Sequence, residues 1–572
     1  MTTCSQCEGW LPRHSPVSLR FISLGHWSSH FSRTGRRNRV MSTTHVHYVQ
    51  QLLTRFDADP GHVALVSDGV LLTAGELGDA TRRAAAVMGR HGITRGDVVC
   101  ILTEPNTAAT LILQWAANLV GATAAHMRWV NPGGPDDELR LELRRALGAD
   151  VGVRMLAVDP ANEERARDLV VNAAGRLILG VLGAGQPDTV DLTAGSGDGV
   201  GPCADIADGD LAVITQVRLS SGRNGVCWTF GVRNAMVSAA PCPPPLAGTS
   251  AAGRSGRTNL LITTPLIHSD VFAADDTLVT GGMVVLHNGF DAGAVLRAVA
   301  QYRISRLAVG TPQVYALAEH PDQAGTDLSS LTELFHAGSP AEPQRLREAR
   351  EILGPVLIQV YGTTETGVLT MLAPDDPGDL DACGTVGRPV DPEGLSIRDP
   401  ETGAALPVGD PGEVCAKPRW PSAGYWHEPK LTAALVRDGW VRTGDLGHLD
   451  ADGYLHLSGR IAGMMKVKGI RIHPEAVEKV LSRALGVSQV AVCGVEDANR
   501  VEHIYAAVVP EPGAVVDLQE LRRHVAEALS DNHVPSLIEI RRGLPKTGWG
   551  KPDRVQLQAA ARAALTRPVS PV

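Results

Sequence analysis

The chain has 572 residues, 44% of them hydrophobic and 20% charged, with a formal net charge of −9. That length exceeds what one hydrophobic core organises and predicts two or more domains. The acidic balance excludes the basic surface a nucleic-acid partner needs, and no run approaches ~18 uninterrupted apolar residues, so no membrane span is expected.

Residues 1–43 are rich in Ser, Arg and His and lack apolar periodicity, so they are read as a disordered extension ahead of the fold. Met41 opens what resembles an ordinary start, although an Arg- and Ser-rich, acid-poor end is also the composition of a transit peptide. Val63–Val66 and Val98–Leu102 read as buried strands, and Ala74 to His91 carries apolar residues at helical spacing. The same rhythm returns in the strands Leu260–Pro265, Met283–Leu286, Arg306–Gly310 and Leu331–Phe335, with a helix over Ala292–Tyr302. Strands alternating with helices of this length predict parallel sheets covered on both faces. The Pro-, Gly- and Ser-rich residues 241–256 read as a loop. Beyond Gly459 the units become smaller and α+β: a helix over Glu475–Leu485, strands Gln489–Val495 and Ile504–Val509, and a helix over Leu518–Ala528. The expected divisions are 1–43, a large unit 44–458, a small unit 459–562 and a tail 563–572. The nine cysteines are scattered, and only Cys4 and Cys7 form a Cys-x-x-Cys, so free thiols in a reducing cytoplasm are expected rather than a zinc site.

Four runs carry the chemistry. They are Tyr361-Gly-Thr-Thr-Glu-Thr-Gly367, Asp438-Gly-Trp-Val-Arg-Thr-Gly-Asp445, Gly459-Arg460 followed by Lys466-Val-Lys-Gly-Ile-Arg-Ile-His-Pro-Glu475, and Pro545-Lys-Thr-Gly-Trp-Gly-Lys-Pro-Asp-Arg554. In this order and spacing they resemble the adenylate-forming (AMP-binding) superfamily, most of all its acyl-CoA synthetases. The resemblance covers roughly residues 44–560. It implies an α/β fold, with a large N-terminal domain of layered sheets and helices plus a small mobile α+β C-terminal lid domain.

The resemblance also assigns roles. Lys551 would meet the acid's carboxylate and the bridging oxygen of the nucleotide, where charge develops in the transition state. Tyr361, with Gly362, would stack on adenine, Thr364 would bond the α-phosphate, and Glu365 would hold Mg²⁺, a cation usually bound by one carboxylate plus phosphate and water. Gly338, Ser339 and Pro340 would lie along the adenine. Asp445 would accept from the ribose hydroxyls beside Arg460. The segment from Lys466 to Gly469 would face the thiol of CoA after the lid rotates. His268 matches a position that gates the acid pocket.

Two places depart from the family pattern. The phosphate loop reads Ser220-Ser-Gly-Arg-Asn-Gly-Val-Cys-Trp228. Ser221, Gly222 and Gly225 remain and can curl round an anion, but Trp228 stands where the family has Lys. Either Arg223 replaces the lost charge or the loop has decayed. At the hinge, Ala462 and Gly463 replace the usual polar residue. Close to His268 lies Asp270. If it faces the acid pocket it needs a cation, most simply one on the substrate; otherwise it faces away.

The function expected is ATP- and Mg²⁺-dependent activation of a small carboxylic acid to an acyl adenylate, then transfer to CoA. The alternative is a stand-alone ligase of secondary metabolism that passes the activated group to a carrier protein, an amine or another nucleophile. A pseudo-synthetase that binds nucleotide without turnover is the third reading, and the intact Lys551, Glu365 and Asp445 count against it.

Overall fold

The computed structural model describes residues 47–104, 106–127, 153–170, 177–196, 206–207, 210–218, 227–233, 257–266, 269–338, 341–374, 376, 380–417, 424–425, 428–467, 470–497, 501–545 and 552–565. The expected extension 1–43 and the loop 241–256 lie outside these residues. No helix among those described is long and apolar enough to cross a membrane. Cys100, Cys383, Cys415 and Cys493 are buried free thiols.

Two large sheets form the body of the N-terminal part. A seven-stranded sheet has the spatial order Val190–Asp191, Ile178–Val181, Val153–Val158, Val98–Leu102, Thr123–His126, Leu211–Arg218 and Cys227–Arg233. Its pairs are parallel except the last. A nine-stranded sheet runs from Arg388–Pro389 through Gly367–Leu372, Leu357–Thr363, Glu333–Ala337, Arg306–Gly310, Asn259–Ile262, Met283–Leu286 and Val63–Ser67 to Val70–Thr73. Its inner strands are parallel and near-continuously apolar, as expected of strands covered on both faces.

The helix Ala108–Leu119 shows why two sheets stack here. Every residue from Thr110 to Leu119 is buried, so it lacks a wet face; a largely apolar helix buried all round belongs inside a core. It shares one hydrophobic cluster with Val99, Ile101 and Met155 of the first sheet and Leu65, Leu260, Val284 and Leu286 of the second. The neighbouring helix Ala74–Arg90 opens on a capping box: the Glu76 amide donates to Thr73 Oγ1 at 3.2 Å, and the Thr73 amide donates to Glu76 Oε2 at 2.8 Å.

A smaller, antiparallel sheet follows, built from Leu395–Arg398, Gly412–Ala416, Trp440–Leu449 and Val436–Arg437, with Leu455–Arg460 paired to Trp440–Leu449. The C-terminal part starts with the hairpin Met465–Val467/Ile470–Ile472. It then stacks the helices Pro474–Leu481, Leu518–Ala528 and Arg554–Leu565 with the three strands Val487–Glu496, Glu502–Pro510 and Leu537–Ile540. The architecture is therefore mixed α/β, with a large N-terminal and a small C-terminal domain.

Some boundaries differ from the sequence expectation. The helix expected over Glu475–Leu485 ends at Leu481. Leu485 is 99% exposed, so a further turn would bury nothing, and Gly486 at φ +78° turns the chain into the next strand. The strand expected over Leu331–Phe335 is Glu333–Ala337, because Leu331 closes a turn onto the Leu328 carbonyl.

Candidate active site

The strands Leu357–Thr363 and Gly367–Leu372 make a tight hairpin whose tip is Thr364–Thr366. A Cβ on Gly362 would sit 2.0 Å from the Gly367 carbonyl oxygen, and Gly367 itself has φ +70°. The run therefore needs glycine at both places. The Thr363 amide donates to Thr366 Oγ1 at 3.2 Å, tying the tip together. Thr364 is exposed there, and Glu365 beside it is half-buried.

On the small sheet, Asp445 and Arg460 face each other across antiparallel strands. Arg460 Nε lies 2.6 Å from Asp445 Oδ1. The other carboxylate oxygen, Oδ2, accepts from the Tyr361 hydroxyl at 2.7 Å. Asp445 is only 4% exposed, and its amide donates to Thr443 Oγ1 at 3.1 Å. Burial first, and then the Asp445 charge, push the Tyr361 phenol well above its usual range, so the hydroxyl keeps its proton and donates. Tyr361, Asp445 and Arg460, drawn from three separate runs, thus form one connected group. Gly338, at φ +99°, ends the strand Glu333–Ala337 next to the Tyr361 strand.

Tyr425 was not legible as part of this site. Its hydroxyl donates to Glu365 Oε1 at 2.7 Å, while among the described residues no hydrogen bond or ion pair engages Oε2. Local geometry holds Tyr425: its amide donates to Thr432 Oγ1 at 2.9 Å, and that hydroxyl donates back to the Tyr425 carbonyl at 3.2 Å. Gly424, at φ +78°, has no room for a Cβ against Thr432. The sequence signal was Gly-Tyr with the Tyr seven residues before a Thr in the middle of a short helix, Pro429–Leu435.

Among the described residues, no hydrogen bond or ion pair joins Lys466 to this group. Lys466 is exposed on the C-terminal hairpin, its amide donating to Glu502 Oε2 at 2.7 Å. Lys551, His268, Ser221, Gly222, Arg223, Gly225, Ser339, Pro340 and Gly469 lie outside the described residues. Ala462 and Gly463 sit in a turn between Arg460, whose strand belongs to the small N-terminal sheet, and Met465, which opens the C-terminal hairpin.

Asp270 lies in the first turn of the helix Ser269–Val279. It is 6% exposed and accepts a short hydrogen bond from the Thr264 hydroxyl. Burial pushes its carboxyl up to about 6. It therefore does not point to solvent, and its described partner is the neutral Thr264 hydroxyl. His336, in the strand leading to Gly338, is buried with Nδ1 3.2 Å from Thr311 Oγ1 and Nε2 unpartnered. Burial, helped by Arg350, lowers its ring to about 3, so it stays neutral.

A paired carboxylate beside an aromatic ring, with a second carboxylate at a hairpin tip, is an arrangement suited to a nucleotide and its cation. The chain belongs to the AMP-binding enzymes, a family that forms acyl adenylates with ATP. The profile for AMP-binding enzymes matches residues 231–426, and that for the AMP-binding enzyme C-terminal domain matches residues 476–551. A feruloyl-CoA synthase from Amycolatopsis sp is 33% identical over 501 residues, covering 86% of this chain and 94% of that one. An indoleacetate–CoA ligase from Aromatoleum aromaticum is 28% identical over 506 residues, with the same 86% and 94% covered. Among solved structures, the amide bond synthetase of Marinactinospora thermotolerans superposes with a TM-score of 0.77 at 33% identity, covering 90% of this chain and 99% of that one.

Proposed function

We propose that this protein converts a carboxylic acid and ATP to an acyl adenylate and pyrophosphate, then passes the acyl group to the thiol of CoA. In the first step a carboxylate oxygen attacks the α-phosphorus, and the bond to the pyrophosphate oxygen breaks. In the second, the thiol sulfur attacks the acyl carbon, its proton is lost, and AMP leaves. The observation that carries this reading is the Tyr361–Asp445–Arg460 group, in a chain that matches acyl-CoA-forming relatives over nearly their whole length.

In this reading Asp445 accepts from the ribose hydroxyls. Each carboxylate oxygen has two lone-pair sites, so one bond to Tyr361 or Arg460 leaves room for one to the sugar. The Tyr361 ring, held at its hydroxyl end, offers its face to adenine. Oε2 of Glu365, which no described residue engages by a hydrogen bond or ion pair, suits Mg²⁺, a hard cation bound through oxygen, and the bound cation would offset charge on the leaving phosphates. Lys551 would approach the α-phosphate during adenylation, Thr364 would bond it, and the Lys466–Gly469 segment would face the thiol. Aromatic acids are the first class to try, since ferulate and indoleacetate name the relatives' substrates.

Transfer to an amine is the second reading, favoured by the full-length match to an amide bond synthetase at equal identity. The test is pyrophosphate release over a panel of aryl, arylalkenoic and fatty acids, with CoA, with an amine, or with neither. Acid-dependent release is expected, with a thioester in the CoA arm. An amide in preference to a thioester would favour the second reading, and no acid-dependent release in any arm would overturn both.

A further inference from the structure

Two strands of the nine-stranded sheet part at one rung, and the side chains on that rung are incompletely bonded. Glu333–Ala337 and Leu357–Thr363 pair from Leu334 and Leu357 up to His336 and Gln359 and, among the described residues, no further. Beyond that rung each keeps its outer neighbour, Ala337 beside Gly310 and Tyr361 beside Thr370. Gly338 and Tyr361 each stand two residues past the rung. Crevices outside the carboxyl ends of such strands are where ligands lie, so the point of parting bears on the nucleotide.

His336 and Gln359 share a face with Leu334 and Leu357, two residues before each, which pack with Leu346 and Ala349 of the helix Pro343–Leu353. They are 1% and 5% exposed. His336 Nδ1 lies 3.2 Å from the hydroxyl of Thr311, which opens the helix Thr311–Ala318. Gln359 Nε2 donates to the Thr385 carbonyl at 3.3 Å, which leaves Oε1, an acceptor, as the other end of its amide. His336 Nε2 and Gln359 Oε1 are both buried with no partner among the described residues. Each orphan alone is unfavourable. Together they match: a neutral imidazole whose Nδ1 accepts from Thr311 carries its one N–H on Nε2. Paired strands run about 4.8 Å apart. Two groups on one rung with no direct bond are therefore within reach of one bridging water.

We propose that one ordered water joins His336 Nε2–H to Gln359 Oε1, and that His336 is a positioning residue for the nucleotide. The water accepts from the ring and donates to the amide oxygen. A line of bonds then runs from Thr311 through His336, the water and Gln359 to the Thr385 carbonyl. It clamps the two strands at the rung where they diverge, and so fixes the separation of Gly338 and Tyr361. That role rests on the nucleotide reading above; the bond itself does not.

Titration calorimetry with AMP and long-range proton–nitrogen spectra of the histidine-labelled full chain test this. His336→Phe keeps the ring's bulk without its nitrogens, and should raise the Kd for AMP roughly tenfold, as one buried bond is worth. Gln359→Leu should do the same. The double variant should lose no more than either single one, because the second change removes a partner already lost. His336→Gln, whose amide N–H reaches about as far as Nε2, should recover most of the affinity, as no apolar filler would. In wild type the His336 signal, identified by its loss in His336→Gln, should show the proton on Nε2. Three results would overturn the proposal: the proton on Nδ1, full AMP affinity in either folded single variant, or losses that multiply in the double variant. Failure of the nucleotide reading looks different, since wild type itself would then bind no AMP, and the positioning role would fall with it. Where His336→Phe does not fold, the proton's place in wild type still decides.

Discussion

At the scale of single residues, Glu365 shows how a neighbour outside every recognised run can set a site. Tyr425 commits one carboxylate oxygen at 2.7 Å and so fixes the direction of the other. A charge-assisted hydrogen bond of this kind is worth about 1.5–3 kcal/mol. In Tyr425→Phe the Mg²⁺ concentration for half-maximal pyrophosphate release should rise roughly tenfold, while the affinity for AMP measured without metal stays constant. Equal losses in both would make Tyr425 a support for the fold and nothing more. Asp270 gives a second residue-scale prediction, through pH. Its carboxyl titrates near 6 in the fold and near 3.9 unfolded, so the fold favours the protonated form. That preference stabilises the protein fully below pH 4 and is lost as pH rises through 6. Asp270→Asn can still accept from Thr264 and never ionises. Its Tm relative to wild type should therefore climb between pH 4 and pH 6 and level off above, by up to about 3 kcal/mol in stability. A difference that does not vary with pH would mean Asp270 is solvated in the native state.

The elements were legible where local and tertiary signals agree. Ala292–Tyr302 forms as its periodicity predicts, because Asp291 caps it, its side chain accepting from the Ala294 amide at 2.7 Å, and one face buries Val295, Leu296 and Val299. Glu475–Leu485 overshot because periodicity cannot tell that Leu485 has nothing to pack on. The hairpin carrying Tyr361 and Glu365 was legible as a motif, but not as a sterically closed turn. That closure makes an element-scale prediction. In Gly362→Ala the added methyl would lie 2.0 Å from the Gly367 carbonyl, and backbone cannot step aside as a flexible side chain can. The strands must part, at a cost on the order of 3 kcal/mol, and the Tyr361–Asp445 bond goes with them. Thermal unfolding should come several degrees lower, and AMP binding should weaken in the protein that remains folded. A full-strength AMP site in Gly362→Ala would show that the hairpin does not aim Tyr361.

Across the whole molecule, the order of motifs announced two domains, but not how the second is tied together. Arg554, three residues beyond Lys551, reaches back to the helix Pro474–Leu481. Its Nη1 lies 2.9 Å from Glu475 Oε1, and its Nη2 lies 2.8 Å from both oxygens of Glu478. Burial raises the Glu478 carboxyl in spite of the arginine, so the pair depends on Arg554 to hold its charge. The far end of the same run is closed by the Asp553 amide donating to the Pro545 carbonyl at 2.7 Å. Removing Arg554 leaves two carboxylates side by side without a cation, and their partial exposure limits the cost to about 1–3 kcal/mol. In Arg554→Ala hydrogen exchange should quicken in Pro474–Leu481 and Arg554–Leu565, while Val63–Ser67 and Leu357–Thr363 stay protected. AMP should bind as tightly as before, because the described hydrogen bonds and ion pair of Tyr361, Asp445 and Arg460 join them to one another and not to this cluster. Adenylation should nevertheless fall, since the run that bears Lys551 loses its anchor on the helix. Exchange that quickens everywhere, or AMP affinity that falls in step with adenylation, would mean that the two domains unfold as one body and that Arg554 supports the whole chain rather than the Lys551 run.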